Sequence, residues 1–133
     1  MILIDTSVFI AHCNAKDVHH QRAQILMNAL KSKTYGEVYL TNYIFSECAT
    51  VLSLRIKDFH KAIKKTNEIK QLPIIFADEE LFEEAWKMFQ EQKEPQLSFV
   101  DCTIVISMRA TNISHLATFD KAFKEVRDIT VIS

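Results

Sequence analysis

The sequence predicts an α/β fold on a five-stranded, mainly parallel sheet, and three observations predict it. Short apolar runs recur along the 133 residues, at 1–5, Val38–Leu40, Ile74–Phe76, His115–Ala117 and Ile129–Ile132. Segments with apolar residues at helical spacing stand between them. No repeat, linker or low-complexity stretch interrupts the alternation, so residues 1–133 are expected to form one domain with helices on both faces of the sheet.

The elements follow in order. Met1-Ile2-Leu3-Ile4-Asp5 reads as a buried strand that delivers a carboxylate at its C-terminal end, with Thr6 or Ser7 available to cap a short helix through Ala11. Asn14 to Asp17 is a polar break. Val18, Ile25, Leu26, Ala29 and Leu30 mark a helix from Val18 to about Ser32. Thr34-Tyr35-Gly36 turns into the second strand, and helices follow from Tyr43 to Lys57 and from Asp58, its N-cap, to Gln71. Pro73 marks the stop before the third strand. Asp78-Glu79-Glu80 starts a helix with acids in its first turn, favourable to the macrodipole, and its stripe is Leu81, Phe82, Ala85, Trp86 and Phe89. After a loop from Lys93 to Gln96 comes a helix from Ser98 to Ala110, then the fourth and fifth strands.

Composition narrows the function. Net charge is −1, so attraction to a polyanion has to come from a local patch or a bound cation. A single glycine, Gly36, excludes a glycine-rich phosphate loop of either the Walker or the Rossmann kind. Cys13, Cys48 and Cys102 are scattered and odd in number, and read as reduced packing residues. No apolar run approaches the roughly 18–20 residues that span a bilayer. The start lacks a basic segment and a cleavage site, so the expected location is the cytoplasm, away from any membrane.

Four acids stand in apolar settings. Asp5 ends the first strand, and Asp120 lies just beyond the fourth. Glu47 neighbours Ile44, Cys48 and Val51 on its helix, at the margin of the inward stripe. Asp101 falls among Leu97, Ile104, Val105 and Met108, where Asp works against helix propensity. Each has an ordinary reading: a turn residue, a snorkelling Glu, a capping Asp. Together they place two strand-terminal acids on one sheet edge and two helical acids pointing inward. Like charges gathered in a poorly solvated place need protons or a cation. All-oxygen ligation suits Mg²⁺ or Mn²⁺, and such clusters serve phosphodiester hydrolysis by an activated water.

Asp5-Thr6-Ser7 after the first strand, Thr41-Asn42-Tyr43-Ile44-Phe45-Ser46-Glu47, Leu97-Ser98-Phe99-Val100-Asp101-Cys102 and Leu116-Ala117-Thr118-Phe119-Asp120 together resemble, in order and spacing, the PIN-domain nucleases, most of all the VapC-type toxins of prokaryotic toxin–antitoxin pairs. The resemblance covers essentially the whole chain. It implies a three-layer α/β/α domain, an acidic pocket at the strand C-termini and a Mg²⁺- or Mn²⁺-dependent endoribonuclease. It also implies a homodimer in many members and a cognate antitoxin lying across the site. Carried over, Asp5, Glu47, Asp101 and Asp120 are the catalytic metal-site acids, supported by Thr6 and Thr118, with Asp5 and Asp101 the firmest ligands and Asp120 the most variable. Cleavage by water is expected to leave a 5′-phosphate and a 3′-hydroxyl. Two departures are minor: the helix after Asp101 is less alanine-rich than in many relatives, and the lone glycine is unusual.

RNA contacts are expected from Arg55 and Lys57, with Lys61, Lys64 and Lys65 nearby, and from Lys121 with Lys124, against the alternative of solvated helix faces. His12, His19, His20, His60 and His115 form no constellation; His19 and His20 are expected to be exposed, and Trp86 to serve core or dimer packing. Rival readings are a non-catalytic PIN-like interaction module and a PIN-type RNA-processing nuclease outside a toxin–antitoxin pair. A phosphatase with a nucleophilic Asp generally carries a second acid two residues on, where Ser7 stands here. A receiver domain lacks its paired acids before the first-strand Asp.

Overall fold

The computed structural model describes residues 1–133. Five strands form one parallel sheet: β1 (Ile2–Ile4), β2 (Val38–Thr41), β3 (Ile74–Ile75), β4 (His115–Ala117) and β5 (Thr130–Ile132). Their spatial order is β3-β2-β1-β4-β5. The chain works outward from β1 in one direction, then crosses to the other side of β1 for its last two strands. At such a switch point the loops leaving neighbouring strands diverge and open a crevice at the C-terminal edge. Ile4 pairs with Ala117, so Asp5 and Thr118 leave the sheet side by side.

Ile2, Leu3 and Ile4 are all fully buried. Their side chains alternate between faces, so both faces of the sheet are covered. Ile4 lines a cavity of about 210 Å³ together with residues of α1 (Thr6–Cys13), α2 (His20–Lys31) and α4 (Phe59–Lys70). Helix α3 (Asn42–Arg55) packs on α1 and α4. The crossover from β3 to β4 carries α5 (Glu79–Gln90) and α6 (Phe99–Ala110) and runs the opposite way, which under the right-handed rule puts it on the other face. One contiguous cluster of 24 buried residues joins the layers. No helix is long and apolar enough to cross a membrane.

Asp58 caps α4 as the sequence predicts, and Asp78, expected within the first turn of α5, is its N-cap. Elsewhere the structure corrects the reading. Helix α1 is capped by Asp5 itself, not by Thr6 or Ser7, and runs on to Cys13. Helix α2 begins at His20, and Val18 and Ile25 are 89% and 71% exposed. Its inward stripe is Ala23, Leu26 and Leu30; Ile25 lies about 100° around the helix from Leu26. Strand β3 stops at Ile75, leaving Phe76 exposed. Lys121–Glu125, given no element by the sequence, forms a 3-10 helix capped by Asp120. Gly36 has φ +81°, and a Cβ there would meet the Met1 backbone nitrogen at 2.8 Å. The turn that seats β1 against β2 therefore requires glycine.

Candidate active site

The switch-point edge is organised around Asp5, which is 7% exposed. Its Oδ2 accepts hydrogen bonds from the Ser7 hydroxyl (2.7 Å), the Thr118 hydroxyl (2.8 Å) and, more weakly, the Ser7 amide (3.4 Å). Burial pushes the Asp5 carboxyl above the usual carboxylate range, against the lowering effect of those hydrogen bonds. Thr118 is fully buried and also accepts from the Asp120 amide (3.0 Å), while the Ser7 hydroxyl accepts from the Phe119 amide (3.1 Å). The ends of β1 and β4 are thus laced together by two hydroxyls.

The other acids arrive from three further elements. The buried Thr6 donates its hydroxyl to Glu47 Oε2 at 2.6 Å, which ties α3 to the start of α1. Glu47 itself is exposed, one turn beyond the buried Ile44 and beside the buried Cys48. Burial pushes the Cys48 thiol up to about 12, with Asp5 and Glu47 adding negative charge nearby, so this cysteine is inert. Asp101 is not a helix-interior residue. It is the third residue of α6 in a capping box: Asp101 Oδ2 accepts from the Ser98 amide (2.8 Å), and the Ser98 hydroxyl accepts from the Asp101 amide (3.1 Å). There an acid agrees with local preference. Its carboxyl is raised, first by burial and then by the charges of Asp120 and Asp5, so these three acids feel one another. Asp120 is exposed and caps the 3-10 helix, its Oδ1 accepting from the Ala122 amide at 2.9 Å.

One pattern runs through all four acids. In each, a single oxygen is held by the protein: Oδ2 of Asp5, Oε2 of Glu47, Oδ2 of Asp101 and Oδ1 of Asp120. The second oxygen of each makes no hydrogen bond within the chain. None of the four is ion-paired; the protein's salt bridges are Lys87–Glu91 and Arg109–Asp128. As the side chains stand, no three acidic, histidine or cysteine groups close around a common metal position. The donor set itself fits a hard divalent cation: oriented carboxylates with open oxygens and no basic partner, with Asp5 and Asp101 raised by desolvation.

Among the expected RNA contacts, Lys121 lines a small cavity that Asp120 also lines. Arg55 lies eight residues beyond Glu47 on α3, about 12 Å along the axis, with Lys57 farther on, so neither adjoins the acids. Sequence reasoning missed Ser7 and Ser98, which orient Asp5 and Asp101. Ser98 carried a legible signal, the Ser-x-x-Asp spacing of a capping box ahead of an apolar run. His19 and His20 are half-buried, not exposed: His19 stacks on Phe119 at 4.6 Å, and His20 Nδ1 lies 2.8 Å from the Ala11 carbonyl oxygen. Trp86 is 43% exposed, so it is not core; it joins an aromatic group with Phe82, Phe89 and Phe99.

Comparison with known proteins agrees with this architecture. The PIN domain family matches residues 2–129. A VapC ribonuclease of Archaeoglobus fulgidus is 28% identical over 123 residues, covering 91% of this chain and 78% of that protein. The 23S rRNA-specific endonuclease VapC20 of Mycobacterium tuberculosis is 31% identical over 126 residues, 92% of each chain. The crystal structure of Mycobacterium tuberculosis VapC20, described as a sarcin-ricin loop cleaving toxin, superposes with a TM-score of 0.81 at 26% identity, over 96% of this chain and 95% of that one. A toxin–antitoxin complex from Klebsiella pneumoniae shares the fold, with a TM-score of 0.74 at 16% identity over 100% and 97% of the two chains.

Proposed function

The chain belongs to the PIN domain family, and on that premise we propose that it is a Mg²⁺- or Mn²⁺-dependent endoribonuclease, the toxin of a toxin–antitoxin pair, working in the cytoplasm. The observation that carries this reading is the set of four unpaired carboxylates at the switch-point edge, each with one oxygen held and one open. Asp5, Asp101 and Glu47 would hold the ion through the oxygens the protein leaves free, with Asp120 the outermost contributor. When bound, the ion supplies charge to the phosphate and lowers the pKa of a water. The chain contributes placement. Ser7 and Thr118 fix Asp5, Thr6 fixes Glu47, and the Ser98 capping box fixes Asp101. Holding groups in reactive geometry before the substrate arrives lowers the barrier without reorganisation during the reaction.

The antitoxin is proposed to occupy this acidic edge, in keeping with relatives solved as toxin–antitoxin complexes. A homodimer is proposed as well, and the exposed Phe82 and Trp86 on α5 are the apolar surface on which a second copy would first be sought.

Purified protein incubated with RNA and Mn²⁺ or Mg²⁺ tests the activity, with 23S rRNA as the first substrate because a relative is named for it. Cleavage that stops with EDTA and leaves a 5′-phosphate and a 3′-hydroxyl is expected. If Asp5→Asn and Asp101→Asn both keep full metal-dependent cleavage, the assignment of the acids is wrong. A second reading, a PIN-like module that only binds partners, is disfavoured by the open, oriented oxygens on all four acids. Absence of cleavage with every divalent ion and RNA tried would favour it.

A further inference from the structure

Beside the acidic edge the structure joins Lys121 and Lys124, two expected RNA contacts, to Arg22, a cation that the sequence did not mark. A cavity of about 60 Å³ is lined by Arg22 from α2, by Phe119 and Asp120 after β4, and by Lys121 and Lys124 of the 3-10 helix. It has room for a phosphate-sized group, and Thr118, the residue that holds Asp5, also lines it. The cavity therefore begins where the acids end.

The three cations are free for a ligand. None is in an ion pair. Arg22 makes one side-chain hydrogen bond, from Nη2 to the Ser133 hydroxyl at 3.0 Å, so four of the five guanidinium N–H groups have no acceptor in the chain. Arg22 is also held in place. The Arg22 guanidinium lies 5.4 Å from the centroid of the Phe119 ring, and His19 stacks on the same ring at 4.6 Å and 15°. Phe119 is anchored in turn by its amide to the Ser7 hydroxyl at 3.1 Å, the same hydroxyl that donates to Asp5. An aromatic ring thus fixes the guanidinium in register with the buried carboxylate.

A polyanion approaching four carboxylates on a chain of net charge −1 meets repulsion, and a local cationic site is what offsets it. We propose that Arg22, Lys121 and Lys124, set around the His19–Phe119 stack, form a phosphate subsite that holds the RNA strand beside the bond to be cut. The proposal rests on the ribonuclease reading above and adds a binding residue, Arg22, on an element remote in sequence from every acid. The subsite grips the backbone, not a base, so it contributes affinity and register whatever the sequence bound. Its cations match the phosphates of the RNA that the acids are proposed to cut, which favours RNA as the occupant, whereas the antitoxin is proposed on the acids themselves.

The test reads binding apart from cleavage. Affinity for a fluorescent single-stranded RNA is measured across a salt series in divalent-free buffer on the Asp101→Asn protein, alone and combined with Arg22→Ala/Lys124→Ala. The pair is expected to weaken binding roughly tenfold and to reduce the slope of log affinity against log salt by about 0.7, the value for one phosphate on a single strand. Arg22→Lys, which keeps the charge, should recover part of the loss. Lys61→Ala/Lys64→Ala on α4 should change neither quantity, and melting temperatures should stay level across the set. Unchanged affinity and slope in the Arg22/Lys124 pair would overturn the subsite, as would equal loss in the α4 control. Cleavage by the unsubstituted protein, assayed in parallel, decides the ribonuclease reading separately.

Discussion

Helices α5 and α6 are each twelve residues long and pack against one another, yet they use acids in opposite ways. Helix α5 buries only Ala85 and carries Glu79, Glu80, Glu83 and Glu84 on a surface open to water. Helix α6 is buried from Cys102 through Met108 without a break, and its one acid sits at the N-terminal turn. An acid on α5 costs nothing to hydrate and can swing freely. Asp101 is carried by a helix that cannot move without disturbing the core, and a capping box fixes one of its oxygens. Rigidity of the carrier, and not the number of carboxylates, separates the acid proposed to hold the ion from those of a solvated surface.

The sharpest way to break that contrast is to neutralise one acid on each helix. Asp101→Asn is expected to lower Mn²⁺-dependent RNA cleavage on the order of 10²–10³-fold. Glu83→Gln should leave the initial rate within about twofold, since exposed charges away from a site contribute little. Equal losses would mean that α5 takes part in the chemistry. Next, Ile104→Ala on α6 should cost about 2–5 kcal/mol in urea unfolding, as cavity-forming core changes do. Phe82→Ala on α5, where the ring is 41% exposed, should cost under about 2 kcal/mol. If the two melts fall equally, and the Phe82 effect depends on protein concentration, a second copy covers α5 in solution. Smaller again is Ser98→Ala, which should cost about 1 kcal/mol through the lost cap. It should also slow cleavage, because Asp101 loses the residue that anchors its turn.

The subtlest difference concerns pH. Asp5 and Asp101 have carboxyls raised above their ordinary 3.8 in the folded protein, chiefly by burial. The folded state therefore holds protons more tightly than the unfolded chain. In the metal-free protein these two groups oppose folding at neutral pH. That cost is relieved as pH falls through their raised values and is gone below 3.8. Metal-free Asp101→Asn should consequently melt higher than the unsubstituted protein at pH 7, and the gap should close in acid. A gap that widens on acidification would reverse the sign assigned to burial.

Much of the architecture was readable because the relevant forces are local. Short apolar runs and helical spacing located the five strands and six helices, and Asp58 and Asp78 stand three residues ahead of the amides they accept from. The four acids were readable for a different reason: each breaks an apolar pattern. The errors have local causes too. Val18 and Ile25 are apolar, so they were counted in a stripe that geometry places elsewhere on α2. Asp101 looked misplaced because it was weighed against the apolar stripe, although the predicted start at Ser98 already put it in the first turn, where an acid is at home. Arg22 and His19 could not be found at all, since their partner Phe119 lies about a hundred positions away, and an exposed Arg on a surface helix carries no mark of its contact.

The two hydroxyls around Asp5 settle what a same-shaped amide would do there. Ser7 and Thr118 each have one hydroxyl proton, and both protons point at Oδ2. In Asp5→Asn, an NH₂ group at that place would face the Ser7 amide and would turn both hydroxyls from donors into acceptors, taking away the partner of two hydroxyl protons. The carbonyl oxygen must sit there instead, and the nitrogen takes the outward position. The substitution therefore has a single orientation, chosen by its neighbours before any ligand arrives. It replaces an outward lone pair with two outward hydrogens, turning an acceptor into a donor at one atom while the shape of the pocket stays the same.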